Sequence, residues 1–460
     1  MVVDTRRAVR DPLHGLIARE PDEIRLMNTA AFQRLRRIRQ LAMAHLVYPS
    51  AHHTRFEHSV GTMELAGRLC YRLKELGEID ENGSRLVRLA ALLHDIGHGP
   101  FSHVSESLLD RHCDRAKLSG IGPTDKIHER ITSDIILQDE EIARVLGQAD
   151  RRAIVELLTG AGSGHRRFEH DVVSGSLDAD KMDYLLRDSY FAGVKYGQFD
   201  LEKIIDVCRV YRSGNETYIA FDHEGIYALE QLVLAQYHMN QQVYFHRVRA
   251  ITDAMVVRGL GIAVREDIPP AAKLYTYDGS VEFIRHYMRY YDDYLVQTLS
   301  ECPHSVVSEM FLRLLNRRLL KELCSFPVDE VEHSIVRDRL SRLEFESPEA
   351  TNLEAAVADL IQANREFVIV ERQSVKNPTF RTPSSRLAEE EIIILDRSGH
   401  PRTVAEFPDL IFNLNKTAAS RETIKVFAPR DEWSDPEDTR EAERQALKQQ
   451  VKQLILSVAT

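Results

Sequence analysis

The chain has 460 residues and a formal net charge of -11 at neutral pH, with 43% hydrophobic and 28% charged residues. This length predicts about two to three domain-sized units in a globular protein. The acidic balance argues against a protein that mainly grips nucleic acid backbone, because that task needs a basic face. Five scattered cysteines without a CxxC pair indicate a reducing compartment and no disulfide framework. No window approaches the roughly 18 apolar residues of a membrane span, so we expect a cytoplasmic protein.

The N-terminal part of the chain predicts an extended arm followed by a helix. The arm spans residues 5–20 and turns at Asp11-Pro12, next to His14, which is either structural or ligand-facing. Apolar residues at spacings of three and four predict a helix over 22–43. The arginines on the other face of this helix are either solvated or hold phosphates, since guanidinium groups match phosphate oxygens in a bidentate way.

The most distinctive stretch is the segment 94–103, which contains three histidines and one aspartate. An apolar run from Leu86 to Leu93 precedes it, so we expect a buried helix that delivers His94 and Asp95 near its end, followed by a tight turn. Imidazole and carboxylate suit Zn, Fe, Mn or Ni, and a larger carboxylate share favours Mg or Mn. Because buried histidines and aspartates are costly unless bound, the cluster predicts a metal site.

Two further stretches, residues 52–58 and 178–184, must supply the remaining ligands. In the first, a helix starts near Thr54 and carries His58 on its first turns. In the second, acidic residues that include Asp180 are interleaved with large apolar ones and would repel one another without a cation or basic partners. A histidine, a His-Asp doublet and a distant aspartate would complete a four-ligand site with open positions for water and substrate.

The remaining elements follow from shorter patterns. Polar breaks are expected at 119–125 and 160–164, a β-hairpin over 205–222, and a long helical stretch from Gly225 to about Gly259. Aromatic residues in that helical stretch form either core or a pocket wall, because histidine and arginine are mixed among them.

The last part of the chain changes to short β-rich runs, which span 367–370, 392–395 and 424–427. They predict a small α/β lobe, and a charged tail ends in a predicted helix over 441–458. The predicted fold class is therefore mostly α. The predicted domains are a helical catalytic domain over 1–345, with its metal core in 45–260, and a smaller α/β C-terminal lobe over 346–460.

Three motifs occur together and in order along the chain. They are Arg55-Phe56-Glu57-His58, His94-Asp95-Ile96-Gly97-His98-Gly99-Pro100-Phe101-Ser102-His103 and Asp180-Lys181-Met182-Asp183-Tyr184. The combination resembles the HD-domain phosphohydrolases and, within them, the deoxynucleoside triphosphate triphosphohydrolases related to the SAM-and-HD-domain protein, here without the SAM domain. The resemblance runs from Asp11 to about Met255. It implies an HD-type helical core in which water attacks the α-phosphorus of a dNTP and releases a deoxynucleoside and intact tripolyphosphate.

The resemblance also implies individual roles. The metal ligands would be His58, His94, Asp95 and Asp180. The catalytic histidines would be His103, as proton donor to the leaving 5′ oxygen, and His98 and His128, which shape the triphosphate site. The substrate-binding residues would be Arg55, Lys181 and Tyr184 near the phosphates, and Gln40, Leu41, Asp188 and Tyr244 around the deoxyribose. Tyr184 would also help to close the deoxyribose pocket. Leu41 and Tyr244 would pack so that a 2′-hydroxyl does not fit.

The implied cofactor is a divalent metal, either Mg, Mn, Fe, Zn or Ni. The implied partners are the dNTP substrate, further copies of the chain in a dimer or tetramer, and a nucleotide activator between subunits. The sequence departs from the family at Gln236, where an arginine usually reaches the phosphates, and at Asn28, where activatable members carry an aspartate that reads guanine. Gln33 and Arg36 match the family there, but the amide of Asn28 has no charge and a single acceptor oxygen.

Two alternatives stay open. Another HD-type nucleotide phosphatase or phosphodiesterase would use the same metal cleft, and Gln236 is the feature that favours it. A nucleotide-sensing regulator would bind without turnover, although the complete ligand set and His103 argue against it. The reaction product distinguishes these functions. Release of tripolyphosphate would indicate a triphosphohydrolase, whereas release of orthophosphate or an opened phosphodiester would indicate another HD-type phosphatase or phosphodiesterase.

Overall fold

The computed structural model describes residues 8–118, 126–161, 166–375, 392–403, 421–429 and 441–459. The expected break at 119–125 lies outside these residues, and so does most of the expected loop at 160–164. Helices dominate the described residues, so the predicted mostly α fold class is confirmed. None of the helices within the described ranges is long and apolar enough to cross a lipid bilayer.

The helices follow one another through most of the chain. They are α1 (Pro21–Met27), α2 (Ala30–Arg34), α3 (Arg55–Glu75), α4 (Glu81–Leu93), α5 (Glu106–His112), α6 (Ile127–Gln138), α7 (Glu140–Val145), α8 (Gln148–Thr159), α9 (Arg167–Ser174), α10 (Ala179–Ala192), α11 (Leu201–Asp206), α12 (Ile226–Met239), α13 (Arg247–Arg265), α14 (Ala271–Leu274), α15 (Val281–Tyr287), α16 (Asp292–Ser300), α17 (Ser305–Leu315), α18 (Ser334–Ser341), α19 (Pro348–Ile361) and α20 (Glu441–Val458).

The strands form three small sheets. They are β1 (Ala8–Asp11), β2 (Gly15–Ala18), β3 (Cys208–Ser213), β4 (Glu216–Asp222), β5 (Lys321–Pro327), β6 (Ile369–Val375), β7 (Ile393–Leu395), β8 (Pro401–Thr403) and β9 (Arg421–Ala428). The sheets have the orders β1-β2, β3-β4-β7-β8 and β5-β9-β6. The predicted N-terminal arm and the predicted hairpin over 205–222 are thus confirmed as the antiparallel pairs β1-β2 and β3-β4.

The described chain divides into two compact units that interleave along the sequence. The first contains the described residues of Met1–Val243, Pro269–Leu295 and Pro378–Asn415, and the second those of Tyr244–Ile268, Val296–Asn377 and Lys416–Thr460. In the first unit, helices α3, α4 and α10 pack together, and α8 and α9 pack on α4. In the second, α19 and α20 pack with the sheet β5-β9-β6 around an apolar core. The predicted domain division at residue 345 stays a prediction.

Capping interactions explain where helices of the first unit begin and end, including where the apolar spacing predicted other boundaries. The single helix predicted over 22–43 is wrong, because α1 ends at Met27 and the Thr29 side chain accepts a hydrogen bond from the Phe32 N–H to start α2. The helix predicted from Thr54 is confirmed, and a reciprocal capping box between Thr54 and Glu57 fixes its start.

Two further expectations need correction. The long helical stretch predicted from Gly225 is interrupted after Met239 by a π-helical turn, and α13 starts anew where the His246 side chain accepts from the Val248 N–H. The β-rich run at 392–395 is not part of the C-terminal sheet, because β7 pairs in parallel with β4 of the first unit. A short apolar run predicts a strand but does not indicate which strand it pairs with, so the sequence alone could not assign β7 to its sheet.

Candidate functional site

The four predicted metal ligands come from three helices of the first unit. His58 lies on the first turn of α3, where the helix begins at its capping box. His94 and Asp95 follow the last residue of α4, so the predicted helix that delivers them near its end is present. Asp180 lies on the first turn of α10. The structure thus brings together residues that are more than 120 positions apart in the sequence.

The donor atoms of these four residues face one another. His58 Nε2 lies 2.8 Å from Asp180 Oδ1 and 3.7 Å from Asp95 Oδ2. His94 Nε2 lies 3.3 Å from Asp95 Oδ1 and 3.6 Å from Asp180 Oδ1. Ligand bonds of about 2.1 Å around one cation place neighbouring donors roughly 3 Å apart, so this spacing fits a single metal ion.

The state of the two imidazoles supports a cation at this point. His58 Nε2 and His94 Nε2 are buried, and neither makes a hydrogen bond of regular geometry to a described residue, although His58 Nε2 lies 2.8 Å from Asp180 Oδ1. The opposite nitrogens are engaged, His58 Nδ1 with Asp183 Oδ2 at 2.9 Å and His94 Nδ1 with the Ala91 carbonyl at 2.7 Å. This arrangement leaves both Nε2 atoms as candidate ligands, and two imidazoles with two carboxylates suit a divalent transition metal.

The carboxylates also change the protonation of His58. Burial alone would lower the pKa of His58, but its contacts with Asp180 and Asp183 outweigh burial and raise that pKa to about 10. In the absence of a cation the ring therefore holds a proton at neutral pH. A bound metal would have to displace this proton.

A second cluster lies on the other side of Asp95 and is centred on Glu106. Oε1 of Glu106 lies 2.8 Å from His103 Nδ1, 3.1 Å from His98 Nδ1 and 3.2 Å from His128 Nδ1. His98 Nε2 in turn lies 3.2 Å from Asp95 Oδ1, which joins this cluster to the metal ligands. Glu106 lies outside the three sequence motifs, three residues after His103 on the first turn of α5, where a single acidic residue is not a specific signal.

The residues of the second cluster differ in their charge state and in their exposure to solvent. Burial would raise the pKa of Glu106, but His103 and His98 hold that pKa far below its ordinary value, so Glu106 is ionised. Burial, aided by His98, lowers the pKa of His128 to about 2, so His128 is neutral. The side chain of His103 is 62% exposed, whereas that of His98 is 3% exposed. His103 is therefore the member that can meet a molecule entering from solvent.

The turn that carries His103 is held by a distant carboxylate. Phe101 and Ser102 both have left-handed backbone conformations, with φ of 64° and 52°. Asp292 Oδ1 accepts a hydrogen bond from the Phe101 N–H at 2.8 Å, and Asp292 Oδ2 accepts one from the Arg39 N–H at 2.9 Å. This turn satisfies the expectation of a tight turn after the His-Asp doublet.

Gly97 lets helix α6 approach the second cluster closely. A Cβ atom at this position would lie 2.4 Å from the Thr132 backbone nitrogen and 2.5 Å from the His128 carbonyl oxygen. The approach allows the His128 ring to stack on His98 with centroids 4.4 Å apart. The glycine of the motif is therefore a packing requirement for the histidine pair.

Members of both clusters line one cavity of about 710 Å³ in the first unit: His94, Asp95 and Asp180 from the first, and His98, His103 and His128 from the second. Its cationic lining residues are Arg55, Lys126, Arg130 and Lys181. Arg55 is held by Asp95 Oδ2 at 2.5 Å and by Ser102 Oγ at 2.7 Å, and Lys181 Nζ by Asp178 Oδ2 at 2.6 Å. The predicted phosphate-facing residues thus lie beside the predicted metal ligands.

The predicted sugar-pocket residues are not all brought together. Gln40 and Tyr184 line the cavity, and Oε1 of Gln40 is buried without a hydrogen-bond partner in the described part of the chain. Leu41 and Asp188 are buried but are not among the described residues that line this cavity. Tyr244 belongs to the second unit. The sugar-binding roles of these residues stay predictions.

The two positions that depart from the family pattern occupy different places. Gln236 donates a hydrogen bond of 3.4 Å from Nε2 to the hydroxyl of Tyr184. Asn28 is the C-cap residue of α1, directly after Met27. Nearby, Gln33 Nε2 donates a hydrogen bond to the Met27 carbonyl at 2.6 Å, and Gln33 Oε1 accepts one from Arg36 Nε at 2.9 Å.

Comparison with known proteins agrees with this geometry. Residues 55–188 match the HD domain, and residues 199–451 match the HD associated region. The first match spans the predicted metal ligands from His58 to Asp180 and all residues of the second cluster. The chain therefore belongs to the HD-domain phosphohydrolase family, in the group that carries the HD associated region.

Individual relatives cover part of the chain. The Bacillus subtilis uncharacterized protein YwfO is 35% identical over 257 residues, which are 55% of this chain and 54% of the relative. The deoxynucleoside triphosphate triphosphohydrolase SAMHD1 homolog of Dictyostelium discoideum is 34% identical over 262 residues, 54% of this chain and 48% of the relative. The chain spans about half the length of the curated relatives it matches. A crystal structure of a hypothetical protein from Aquifex aeolicus has 26% identity and a TM-score of 0.69, and covers 96% of this chain and 99% of that one.

Proposed function

We propose that the protein is a metal-dependent deoxynucleoside triphosphate triphosphohydrolase. Water would attack the α-phosphorus, the bond from that phosphorus to the 5′ oxygen would break, and the products would be a deoxynucleoside and tripolyphosphate. One observation carries the proposal. His94, Asp95 and Asp180 of the metal-type donor set line the same cavity as His103, whose Nδ1 is held by Glu106, and Asp95 contacts both groups through His94 and His98. The name of the Dictyostelium relative supports the choice of substrate.

The metal ligands would be His58, His94, Asp95 and Asp180. A divalent ion held there supplies charge stabilisation at the phosphoryl oxygens and makes water a stronger nucleophile. Arg55 would contribute a fixed positive charge to the phosphate chain, because its contacts with Asp95 and Ser102 hold the guanidinium at the cavity wall.

His103 would donate the proton to the leaving 5′ oxygen. Its Nδ1 is engaged by Glu106, so its Nε2 can face the substrate. Desolvation by the surrounding protein lowers the pKa of His103, and the Glu106 carboxylate opposes that shift, toward the protonated imidazolium that a general acid needs. His98 and the neutral His128 would shape the site for the α-phosphate.

The remaining substrate contacts are proposed from family resemblance. Lys181 and Tyr184 would face the phosphates. Gln40, Leu41, Asp188 and Tyr244 would surround the deoxyribose and leave no room for a 2′-hydroxyl. Replacement of Tyr244 by alanine should then admit ribonucleoside triphosphates.

A product assay tests the proposal directly. Purified protein is incubated with each dNTP, singly and in mixtures, with Mg²⁺ or Mn²⁺, and the products are separated by ion-exchange chromatography. Deoxynucleoside together with tripolyphosphate is the expected result. Activity only in mixtures would indicate a nucleotide activator, for which the predicted dimer or tetramer should be detectable by light scattering.

A second candidate is another HD-type nucleotide phosphatase or phosphodiesterase. Gln236 favours it, because a neutral amide stands beside Tyr184 where the family usually places an arginine. A cavity with one fewer cation is less suited to a triphosphate chain. Orthophosphate or an opened phosphodiester in the same assay would support this candidate and contradict the first.

A further inference from the structure

Asp183 is a buried carboxylate that the proposed reaction does not use. It lies on α10, three residues after Asp180, and its side chain is fully buried. Its Oδ2 pairs with Nδ1 of His58 at 2.9 Å, on the ring nitrogen opposite the candidate metal-binding Nε2. An acceptor at this position fixes both the tautomer and the orientation of a metal-ligating imidazole.

The Asp183 carboxylate is held from two further directions. His14 Nε2 lies 2.7 Å from Oδ1. Arg187, one helical turn along α10, donates from Nε to Oδ2 at 2.7 Å and from Nη2 to Oδ1 at 3.0 Å. Both oxygens of Asp183 are therefore occupied by fixed donors, which leaves the carboxylate a single orientation.

His14 and Arg187 are in turn tied to the turn between β1 and β2. Arg187 donates from Nη1 to Asp11 Oδ2 at 2.8 Å. Asp11 Oδ1 accepts hydrogen bonds from the backbone N–H groups of Leu13 at 2.8 Å and of His14 at 3.0 Å. Asp11 thus closes the turn and anchors it to α10 with the same side chain.

Close packing prevents Asp183 from moving. A Cβ atom at Gly61, one turn after His58 on α3, would lie 2.0 Å from Asp183 Oδ1 and 2.3 Å from Arg187 Nη2. Helices α3 and α10 therefore meet at van der Waals distance beside the metal ligands, and a displaced carboxylate has no alternative site.

We propose that the turn formed by residues 11–15 is a positioning element of the metal site, which acts on His58 through Asp183. The inference rests on the metal assignment made under the proposed function. It places the determinants of metal affinity some 40 residues before the first ligand, in a hairpin outside the matched HD domain. His14, Arg187 and Asp183 act here as positioning residues, since none of them is a proposed ligand.

The chain contains a matched control for this network. His53 Nε2 lies 2.7 Å from Asp188 Oδ1, and both side chains are buried. The pair has the same chemistry, distance and burial as His14 with Asp183, and its carboxylate lies on the same helix α10. Replacement of His53 therefore removes an equivalent bond that does not lead to His58 through Asp183.

The experiment measures metal binding directly. The metal-free full chain is titrated with Mn²⁺, and binding is monitored by calorimetry or by electron paramagnetic resonance. The variants are His14→Ala, His14→Gln, Asp183→Asn and the control His53→Ala. His14→Ala and Asp183→Asn should weaken Mn²⁺ binding by about 10- to 100-fold, the usual effect of losing such a partner. His14→Gln should recover most of the affinity, because its amide nitrogen can still donate to Asp183. His53→Ala should stay within about twofold of wild type.

The outcomes separate the inference from the proposed function. If wild-type protein binds no divalent ion, the metal assignment itself fails. If the wild type binds Mn²⁺ and His14→Ala binds it equally well, or if His53→Ala weakens binding as much as His14→Ala, the positioning role of the turn is overturned. Circular dichroism checks folding, and should Asp183→Asn fail to fold, the comparison of His14→Ala with His14→Gln decides.

Discussion

The two sides of the cavity are built from the same residue types and differ in burial. On one side His58, with Asp95 beside it, is enclosed by carboxylates and shielded from solvent. On the other side His103 shares a single carboxylate, Glu106, with two more histidines and is largely exposed. Enclosure suits a site that fixes a cation, because desolvated donors gain most from one. Exposure suits a group that must exchange a proton with an arriving substrate.

Removal of Asp95 should break both sides at once and have the largest effect. Asp95→Ala takes away a candidate ligand, the partner of Arg55 and the contact to His98. Metal content by mass spectrometry and dNTP turnover should both be lost. The matched control is Asp293→Ala, which removes an exposed carboxylate and should change neither. Turnover retained by Asp95→Ala would contradict the metal assignment.

Removal of His103 should break only the exposed side. His103→Ala should slow turnover by about 10²-fold or more, the scale of general acid catalysis, because no other group would protonate the leaving oxygen. Metal content and nucleotide binding should stay close to wild type. His238→Ala, which removes another exposed histidine of the first unit, serves as the control. Equal loss of metal from His103→Ala would show that the two sides are not separate.

The pH dependence of metal binding should sharpen the comparison. The pKa of His58 is raised to about 10 in the metal-free protein, so a metal must displace a proton at any lower pH. Metal affinity should therefore rise by up to about tenfold per pH unit between pH 7 and 9, with proton release detectable by calorimetry in two buffers. The protonated ring stabilises the metal-free fold fully below pH 6.5, and this contribution is lost as the pH approaches 10. An affinity that is flat over this range would contradict the enclosure of His58.

Addition of a cation to the cavity should have the smallest effect. Gln236→Arg restores the residue that the family usually carries, next to Tyr184. A charge-assisted bond to phosphate is worth about 1.5–3 kcal/mol, so KM for a dNTP should fall roughly tenfold while kcat changes little. Gln236→Lys tests whether the planar guanidinium matters or charge alone suffices. An unchanged KM in both variants would show that the side chain at position 236 does not reach the phosphates.

Sequence motifs predicted which residues the fold brings together on the metal side, because a short stretch carries two candidate ligands and its spacing is specific to one family. The exposed side was found less completely. Glu106 follows His103 by three residues, but one acidic residue in a helix carries no signal until the fold gathers three imidazoles around it. Partners of long separation were also missed, since His14 and Asp183 are 169 positions apart and meet only through packing of the N-terminal turn on α10.

The strand β7 gives the same lesson at the level of the fold. Its apolar run was correctly predicted as β-structure. Besides the adjacent β8, however, it pairs with β4, about 170 positions earlier, and not with β6 or β9. Period-two patterns report which face of a strand is buried and say nothing about which edge it joins.

The carboxylate of Asp292 bears on how far the candidate site can be transferred between proteins. A gene segment that ends at residue 188 would encode every predicted metal ligand and the whole matched HD domain. It would lack the side chain of Asp292, which ties the Arg39 and Phe101 amides together and so holds the turn before His103. Recombination after residue 188 would therefore keep the candidate metal ligands and the N-terminal turn but lose the support for the proposed acid.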